Sequence, residues 1–403
     1  MTVPVVPLLE ALSSAELFAD GDCVESKDQD PEGDVRLVQL ADIGDGEYVD
    51  KSHRFLTSTK ARALRCTFLK AGDVMVARMP DPLGRACIFP GDFRASVTVV
   101  DVCIIRPNTR SMDARWLMHC LNAPVCRNQI GGYATGTTRS RIARSNLGKI
   151  KIPLPALADQ RRIADILDRA DGLRAKRRAA LALLDTLTQS IFVEMFSGAE
   201  RRWPSATIGD VASPENSSIR TGPFGSQLLH GEFTQSGVAV LGIDNAVDNQ
   251  FRWAGRRYIS DRKYTSLKRY TVNPGDVIIT IMGTCGRCAI VPDDVPLAIN
   301  TKHLCCITLD RSKCLPEFLH AYFLRHPSAR RYLEQKAKGA LMAGLNMGVI
   351  KAMPVPLVPI PVQQEFARRV AAVDKLKAAH RASLAEMDAL FASLQHRAFR
   401  GEL

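Results

Sequence analysis

Residues 152–185 read IPLPALADQRRIADILDRADGLRAKRRAALALLD, and residues 353–388 read MPVPLVPIPVQQEFARRVAAVDKLKAAHRASLAEMD. Each is a proline-stiffened run, a glutamine-led charged turn and a long amphipathic pattern. In the first, Ile163, Ala170, Arg177, Leu184 and Ile191 recur every seven residues, with Ile166, Leu173, Ala180 and Leu187 as the second set. In the second, Phe366, Val373, His380, Met387 and Leu394 alternate with Val370, Lys377, Leu384, Phe391 and Ala398. Sustained over four heptads, this spacing predicts two coiled-coil helices. A helix of about 33 residues is roughly 50 Å long. Alone it would leave its apolar stripe in water, so each helix needs a partner, and the other copy is the nearest. Prolines fix the backbone and stop a preceding element, which makes each run a stiff exit from the globular part before it.

The polar stripe residues Arg177, Lys377 and His380 allow two readings. Their stems pack while their heads reach water, or they fix the register of the pair. In an antiparallel pair, Arg177 lies close to Leu384 and Glu386. Between Arg161 and Arg178 the first helix carries seven Lys or Arg against three Asp. That is a solvated face, or a contact surface for an acidic partner or another polyanion.

Working outward, the rest of the chain repeats as well, at an offset near 202 residues. RFLTSTK from Arg54 answers RYISDRK from Arg257. FLKAGDVMVAR answers TVNPGDVIITI, LGRACIFP answers CGRCAIVP, and ARWLMHCL answers PEFLHAYFL. Such self-similarity sets the architecture before any local reading. The order is domain, helix, domain, helix, with boundaries at 1–151, 152–198, 199–352 and 353–403. The globular parts hold short Val- and Ile-rich runs broken by Gly, Asp and Pro, which is strand-and-turn chemistry. The Gly72-Asp73 and Gly275-Asp276 pairs mark turns that launch strands. The fold class is therefore mixed α/β: two pseudo-repeated domains with irregular β-rich cores, joined by two long coiled-coil helices.

At 403 residues, with 46% hydrophobic and 24% charged residues, the chain is ordinary globular protein. No segment reads as long and apolar enough to span a bilayer, and the N-terminus lacks the pattern of a secretory signal. The cytosol is the expected compartment. Eleven irregularly spaced cysteines then read as reduced thiols. A net charge of +12 favours a polyanionic partner, nucleic acid first, with an acidic protein subunit as the alternative.

The segment from Ile152 to Phe196, together with the domain–helix–domain–helix order, resembles the specificity subunits of type I restriction–modification systems. The resemblance spans nearly the whole chain. It implies two target recognition domains, each reading one half of a split, asymmetric duplex DNA target. It further implies helices that pair antiparallel, space the half-sites and dock two methyltransferase subunits, with restriction subunits joining that core. S-adenosylmethionine, Mg²⁺ and ATP would be held by those partners and not by this chain.

Three groups of residues are candidates for DNA contact. Arg220, Thr221, Gly222, Phe224, Gly225 and Ser226 form a loop with donors, a flexible backbone and an aromatic, and resemble the GPFGS segment near the start of the family's recognition domains. The first domain offers only the acidic stretch DCVESKDQDPEGD at that point. Thr137, Thr138, Arg139, Arg141 and Arg144 form a cationic, hydroxyl-rich loop ahead of the first proline run, and Lys336, Lys338 and Asn346 stand at the second. Arg78, Arg85 and Arg94 in the first copy, and Thr284, Arg287, Asn300, Lys302 and His303 in the second, follow the Gly-Asp turns. Arginine bonds guanine bidentately and asparagine bonds adenine. Surface solubility or packing accounts equally well for some of each group.

There is no Walker-type phosphate loop, no HExxH and no NPP-aromatic tetrapeptide. Cys285 and Cys288 with His303, Cys305 and Cys306 suggest a zinc half-site, but no second CxxC exists, and buried thiols are the favoured reading. These features point to a non-catalytic recognition subunit. The targeting subunit of a fused restriction–methylation enzyme, a helical protein–protein adaptor and an enzyme with an unfamiliar site stay open as alternatives.

Overall fold

The computed structural model describes residues 3–92, 94–136, 139–253, 255–337 and 345–403. They form two compact units: Met1–Ala179 with Arg381–Leu403, and Ala180–His380. Two long helices, α1 (Leu157–Phe196) and α2 (Ile360–Ala398), divide their residues between the units. Unit 1 holds the first part of α1 and the last part of α2; unit 2 holds the remainder of each.

Within unit 1, Leu17–Asp20, Val102–Arg106, Val74–Ala77 and Ala86–Ile88 form an antiparallel sheet in that order. Phe55–Leu56, Val35–Val38 and Ser96–Thr98 form a second sheet, whose last two strands are parallel. Unit 2 repeats the plan with Ile219–Thr221, Leu304–Ile307, Val277–Thr280 and Cys288–Ile290, again antiparallel. Its second sheet runs Phe233–Thr234, Tyr258–Ile259, Val238–Leu241, Ala298–Asn300 and Thr271–Val272, with Val238–Leu241 and Ala298–Asn300 parallel. Each proline run supplies a short strand, Lys151–Pro153 or Pro354–Pro356. It pairs with the strand that opens its own unit, Val5–Pro7 or Ser205–Thr207. Proline is tolerated there because each ladder has only two strands and both are edges.

The apolar runs are continuous because the four-stranded sheets are covered on both faces. In unit 1, Val74, Val76, Cys103 and Ile105 face a core that includes Trp116 and Ile163, while Met75, Ala77, Val102 and Ile104 face a second core with Val38 and Phe89. In unit 2, Cys305 and Cys306 point into opposite cores. The two Gly-Asp turns do launch strands. Gly72 and Gly275 sit at φ +91 and +79, and Asp73 and Asp276 accept the backbone N–H groups of Lys70 and Asn273 at 2.8 Å. Both aspartates are buried and each holds an arginine. Arg106 grips Asp73 through two bonds of 2.7 Å, and Arg220 meets Asp276 at 2.6 Å.

The glutamine that leads each helix is a fastener. Gln160 is buried, accepts the Asp113 N–H at 2.9 Å and donates to the Pro155 carbonyl at 2.9 Å. Gln363 accepts the Leu315 N–H at 2.7 Å and donates to the Lys313 and Val358 carbonyls at 3.0 and 2.7 Å. Each thus ties its long helix to the entry of an earlier helix of its repeat, Ala114–Asn122 or Pro316–Arg325. Both long helices end at a left-handed glycine, Gly198 at φ +72 and Gly401 at φ +76. The aromatic two residues earlier enters a core in each case. Phe196 packs on Phe318 and Phe366 at 4.9 and 5.2 Å, and Phe399 on Trp116 at 6.4 Å.

In both units the helices pair antiparallel. In unit 1, Arg174 and Arg178 bond Asp388 at 2.6 and 3.2 Å, and the Arg174 guanidinium lies 4.2 Å from the Phe391 ring centre. In unit 2, Asp185 meets Lys377 at 2.8 Å, and Phe192 packs on Phe366 at 5.8 Å. The α2 stripe is as expected, buried or half-buried from Phe366 and Val370 through Val373, His380, Leu384 and Met387 to Leu394. On α1 the first set holds: Ile163 and Ile191 are buried, and Arg177 and Leu184 half-buried.

The second α1 set needs correction. Leu173 and Leu187 are 54% and 43% exposed, and Ile166 is only half-buried. The seam runs one residue later, through Leu167, Arg174, Leu181 and Thr188. Arg174 and Thr188 displace the adjacent leucines because α2 offers each a polar partner, Asp388 and the buried Lys377, whose Nζ lies 3.2 Å from Thr188 Oγ1. A second correction concerns bilayers. The stretch Leu157–Arg202 is long and apolar enough to cross a membrane by length and composition. The cations up to Arg178 mask the apolar half beyond it, where Ile191, Phe192 and Phe196 belong to the unit 2 core.

Two stability outcomes follow. Replacing Gln363 by Leu strands the half-buried Leu315 N–H, costing about 1 kcal/mol, read as a lower chemical-denaturation midpoint. Arg220→Met leaves the buried Asp276 charge uncompensated and costs about 3–5 kcal/mol. An unchanged midpoint for Arg220→Met would refute a structural role for that pair.

Candidate nucleic-acid interface

Parallel strands present their ligand-facing loops at their carboxyl ends. In unit 2 the parallel pair ends at Leu241 and Asn300, and the Thr301 N–H returns to the Leu241 carbonyl at 2.9 Å. The Gly222 N–H donates to Thr301 O at 3.3 Å. A Cβ on Gly222 would stand 2.0 Å from the Asn300 carbonyl oxygen, so only glycine fits against this turn. The Ile281 N–H donates to His303 O at 2.9 Å, which brings in the 281–287 turn. Loops 222–226, 281–287 and 300–303 therefore form one crest.

Unit 1 builds the same crest. The Arg78 N–H donates to Asp101 O at 2.9 Å, and the Asp22 N–H to Thr98 O at 2.8 Å. A Cβ on Gly21 would meet the Val99 carbonyl oxygen at 2.3 Å. Gly21 is thus the first-domain counterpart of Gly222. Sequence comparison missed it because a single glycine within an acidic stretch carries no local signature.

Several candidates prove to be internal braces. Arg220 donates to the Thr271 carbonyl and to Thr308 Oγ1 at 2.9 Å as well as to Asp276. Arg85 is buried and spends its donors on the carbonyls of Ile43, Leu40, Pro82 and Met79 at 2.5–3.3 Å. Burial pushes its pKa down from the ordinary arginine value. Arg78 is buried, pairs with Asp20 and donates to the Ile142 and Val100 carbonyls at 3.0 and 3.2 Å. Asn300 is fully buried and donates to the Leu304 carbonyl at 3.0 Å. Asn346 caps the helix Met347–Lys351 by accepting the Val349 N–H at 2.9 Å. The three arginines and Asn300 are buried, which sequence does not reveal, whereas Asn346 is exposed with its side chain engaged at its own helix start.

Other candidates do lie at the surface. Phe224 is 50% exposed, with Gly225 and Ser226 exposed beside it and Thr221 half-buried at the strand end. Thr284 and Arg287 are exposed on the 281–287 turn, beside a cleft of about 350 Å³ lined also by Phe323 and Arg330. Lys302 and His303 are half-buried. Desolvation, then Lys302 and Arg257, push the His303 pKa below its ordinary value, which favours a neutral ring. Lys336 is exposed, with its ammonium 5.9 Å from the Tyr332 ring centre. In unit 1, Arg139 is exposed, and Arg141 and Arg144 reach the surface through carboxylate partners. Arg94 is exposed over Phe55 at 5.1 Å, but precedes Ser96–Thr98 and so lies at the amino end of that strand, away from the crest. Thr137, Thr138 and Lys338 lie outside the described residues. Met282, on the 281–287 turn, and Met347, at the start of the helix Met347–Lys351, are also exposed, by 39% and 40%.

Of the cysteines suggested for zinc, three are core residues and Cys285 is half-buried. Cys288, Cys305 and Cys306 are fully buried in strands, and burial pushes the Cys305 thiol up to about 12. Among the described residues no group of three or more His, Cys, Asp or Glu is placed to hold a metal ion.

The sequence matches the model of the type I restriction modification DNA specificity domain over residues 35–182 and 244–387, one match in each repeat. It is 25% identical over 345 residues to the type I restriction enzyme EcoBI specificity subunit of Escherichia coli, covering 78% of this chain and 72% of that protein. It is 25% identical over 332 residues to the EcoKI specificity subunit of Escherichia coli K12, covering 74% and 68%. The fold is similar to that of the S subunit of a type I system from M. genitalium, with a TM-score of 0.59 and 14% identity, covering 98% of this chain and 96% of that one. It is also similar to a chain from a study of type I system assembly and conformational transition, with a TM-score of 0.58 and 20% identity, covering 100% and 98%. The repeated crest, the paired helices and a family match in both halves lead to one conclusion: this chain belongs to the type I restriction–modification DNA specificity family.

Proposed function

We propose that this specificity subunit reads a bipartite, asymmetric DNA target, with the crest of each unit reading one half-site. The observation that carries the reading is the crest itself. One backbone arrangement occurs twice and presents different side chains: arginines with aspartates in unit 1, and Phe224, Met282, Lys302 and His303 in unit 2. Duplication with divergent tips is what two unlike half-sites require. The net charge of +12 supports a polyanionic ligand.

In this reading α1 and α2 set the gap between half-sites and dock two methyltransferase subunits, and restriction subunits join that core. S-adenosylmethionine, Mg²⁺ and ATP act on those partners. An apolar ridge supports docking. Leu183 and Leu187 are 71% and 43% exposed, one helical turn apart on α1.

Two measurements test this. Co-purification with the adenine methyltransferase of the same system should give two methyltransferase chains per specificity chain. Leu183→Glu with Leu187→Glu should weaken that association by about 30-fold or more, about 2 kcal/mol, as loss of a buried apolar anchor does. Retention of full affinity would exclude this ridge from the docking surface. Deleting one heptad from both α1 and α2 should change the gap in the methylated motif and leave the half-site letters alone. An altered half-site with an unchanged gap would overturn the spacer role.

A further inference from the structure

At the unit 1 crest, two arginines are each held by a carboxylate. Arg144 Nε stands 3.6 Å from Asp20, its Nη1 donates to the Phe18 carbonyl at 2.5 Å, and its guanidinium lies 5.7 Å from the Phe18 ring centre. Arg141 Nη2 stands 3.2 Å from Asp101 and donates to the Val100 carbonyl at 3.3 Å. Both side chains still reach water, at 45% and 39% exposure.

The segment between them is locked to the sheet. The Ile142 N–H donates to the Arg78 carbonyl at 3.0 Å, and Arg78 Nε donates back to the Ile142 carbonyl at 3.0 Å. Ile142 is fully buried, and Arg78 also pairs with Asp20, the carboxylate that faces Arg144. One buried arginine therefore positions both the backbone that carries the pair and one of its clamps.

A free arginine loses considerable side-chain entropy on binding; one held in place has already lost part of it. Arg144 is held through Nε and Nη1 and Arg141 through Nη2, with the Arg141 Nε buried, so Arg144 Nη2 and Arg141 Nη1 are the donors left for a ligand. In the major groove their best partner is the O6/N7 acceptor edge of guanine. We propose that unit 1 reads guanine in its half-site through Arg141 and Arg144, with Arg78 as positioning residue; this rests on the bipartite reading above. Among the described residues, unit 2 shows no such device. Thr221, Ile281, His303 and Met347 stand where unit 1 has Asp20, Arg78, Asp101 and Arg144. The requirement belongs to one half-site only.

The test uses the complete complex with its methyltransferase. Methylated motifs are mapped in cells expressing the wild-type chain, Arg144→Ala or Arg141→Ala. At least one variant should relax a single position, that position should be G·C, and the other half-site should keep its letters. In binding assays, replacing that guanine by 7-deazaguanine, which removes N7, should weaken the wild-type complex about 10- to 100-fold. This arm needs no variant, so misfolding cannot obscure it. Relaxation at an A·T pair, uniform weakening across all sequences, or indifference to 7-deazaguanine at every guanine of the motif would each overturn the proposal. A wild-type complex that methylates no bipartite motif would instead defeat the underlying reading.

Discussion

The architecture depends on two buried glutamines. Gln160 and Gln363 each bond the first N–H groups of one helix and the carbonyls that lead into another. A helix start leaves four N–H groups without intrahelical partners, and a buried start must satisfy them. Here the glutamine of the long helix accepts the first of them, from Asp113 or Leu315, while the Asp113 carboxylate accepts those of Arg115 and Trp116 in unit 1, and direction is fixed as a result. The long helix can leave its unit only at the angle at which its glutamine reaches the neighbouring entry. The proline strand, paired with the opening strand of the unit, constrains the same junction from the other side.

On that frame the two copies have diverged while conserving charge balance. The aspartate of each Gly-Asp turn is buried in both units, so both need an internal cation. Unit 1 takes it from Arg106 on the strand Val102–Arg106. Unit 2 has Thr308 at that position and takes the cation from Arg220, where unit 1 has Ala19. Thr308 still touches Asp276 at 2.7 Å. The cation has moved between neighbouring strands without changing what it neutralises. Such freedom in the framework lets the crest residues above it vary as well.

How much of this the sequence disclosed depended on the kind of signal involved. The helices were legible because period and punctuation agree over forty residues: proline run, glutamine and stripe. The strands were legible from the Gly-Asp turns. The second α1 stripe was not, because apolarity selected Leu173 and Leu187, whereas the seam accepted Arg174 and Thr188 for partners 200 residues away. The crest was half legible. Its second copy carries an aromatic glycine loop, but its first is marked only by Gly21. Arg78, Arg85 and Arg220 were read as ligand contacts because sequence reports a charge and not its burial.

Phe399 follows the last turn of α2 yet fills the core of unit 1, alongside Trp116 and Ile163 from the opening repeat. During synthesis, the first half of the protein therefore emerges with a gap in its interior that only a much later segment can fill. Unit 2 depends on no such delay, since everything it buries precedes residue 381. Maturation of the polypeptide thus runs against its order of translation, with the earlier-made half completed last.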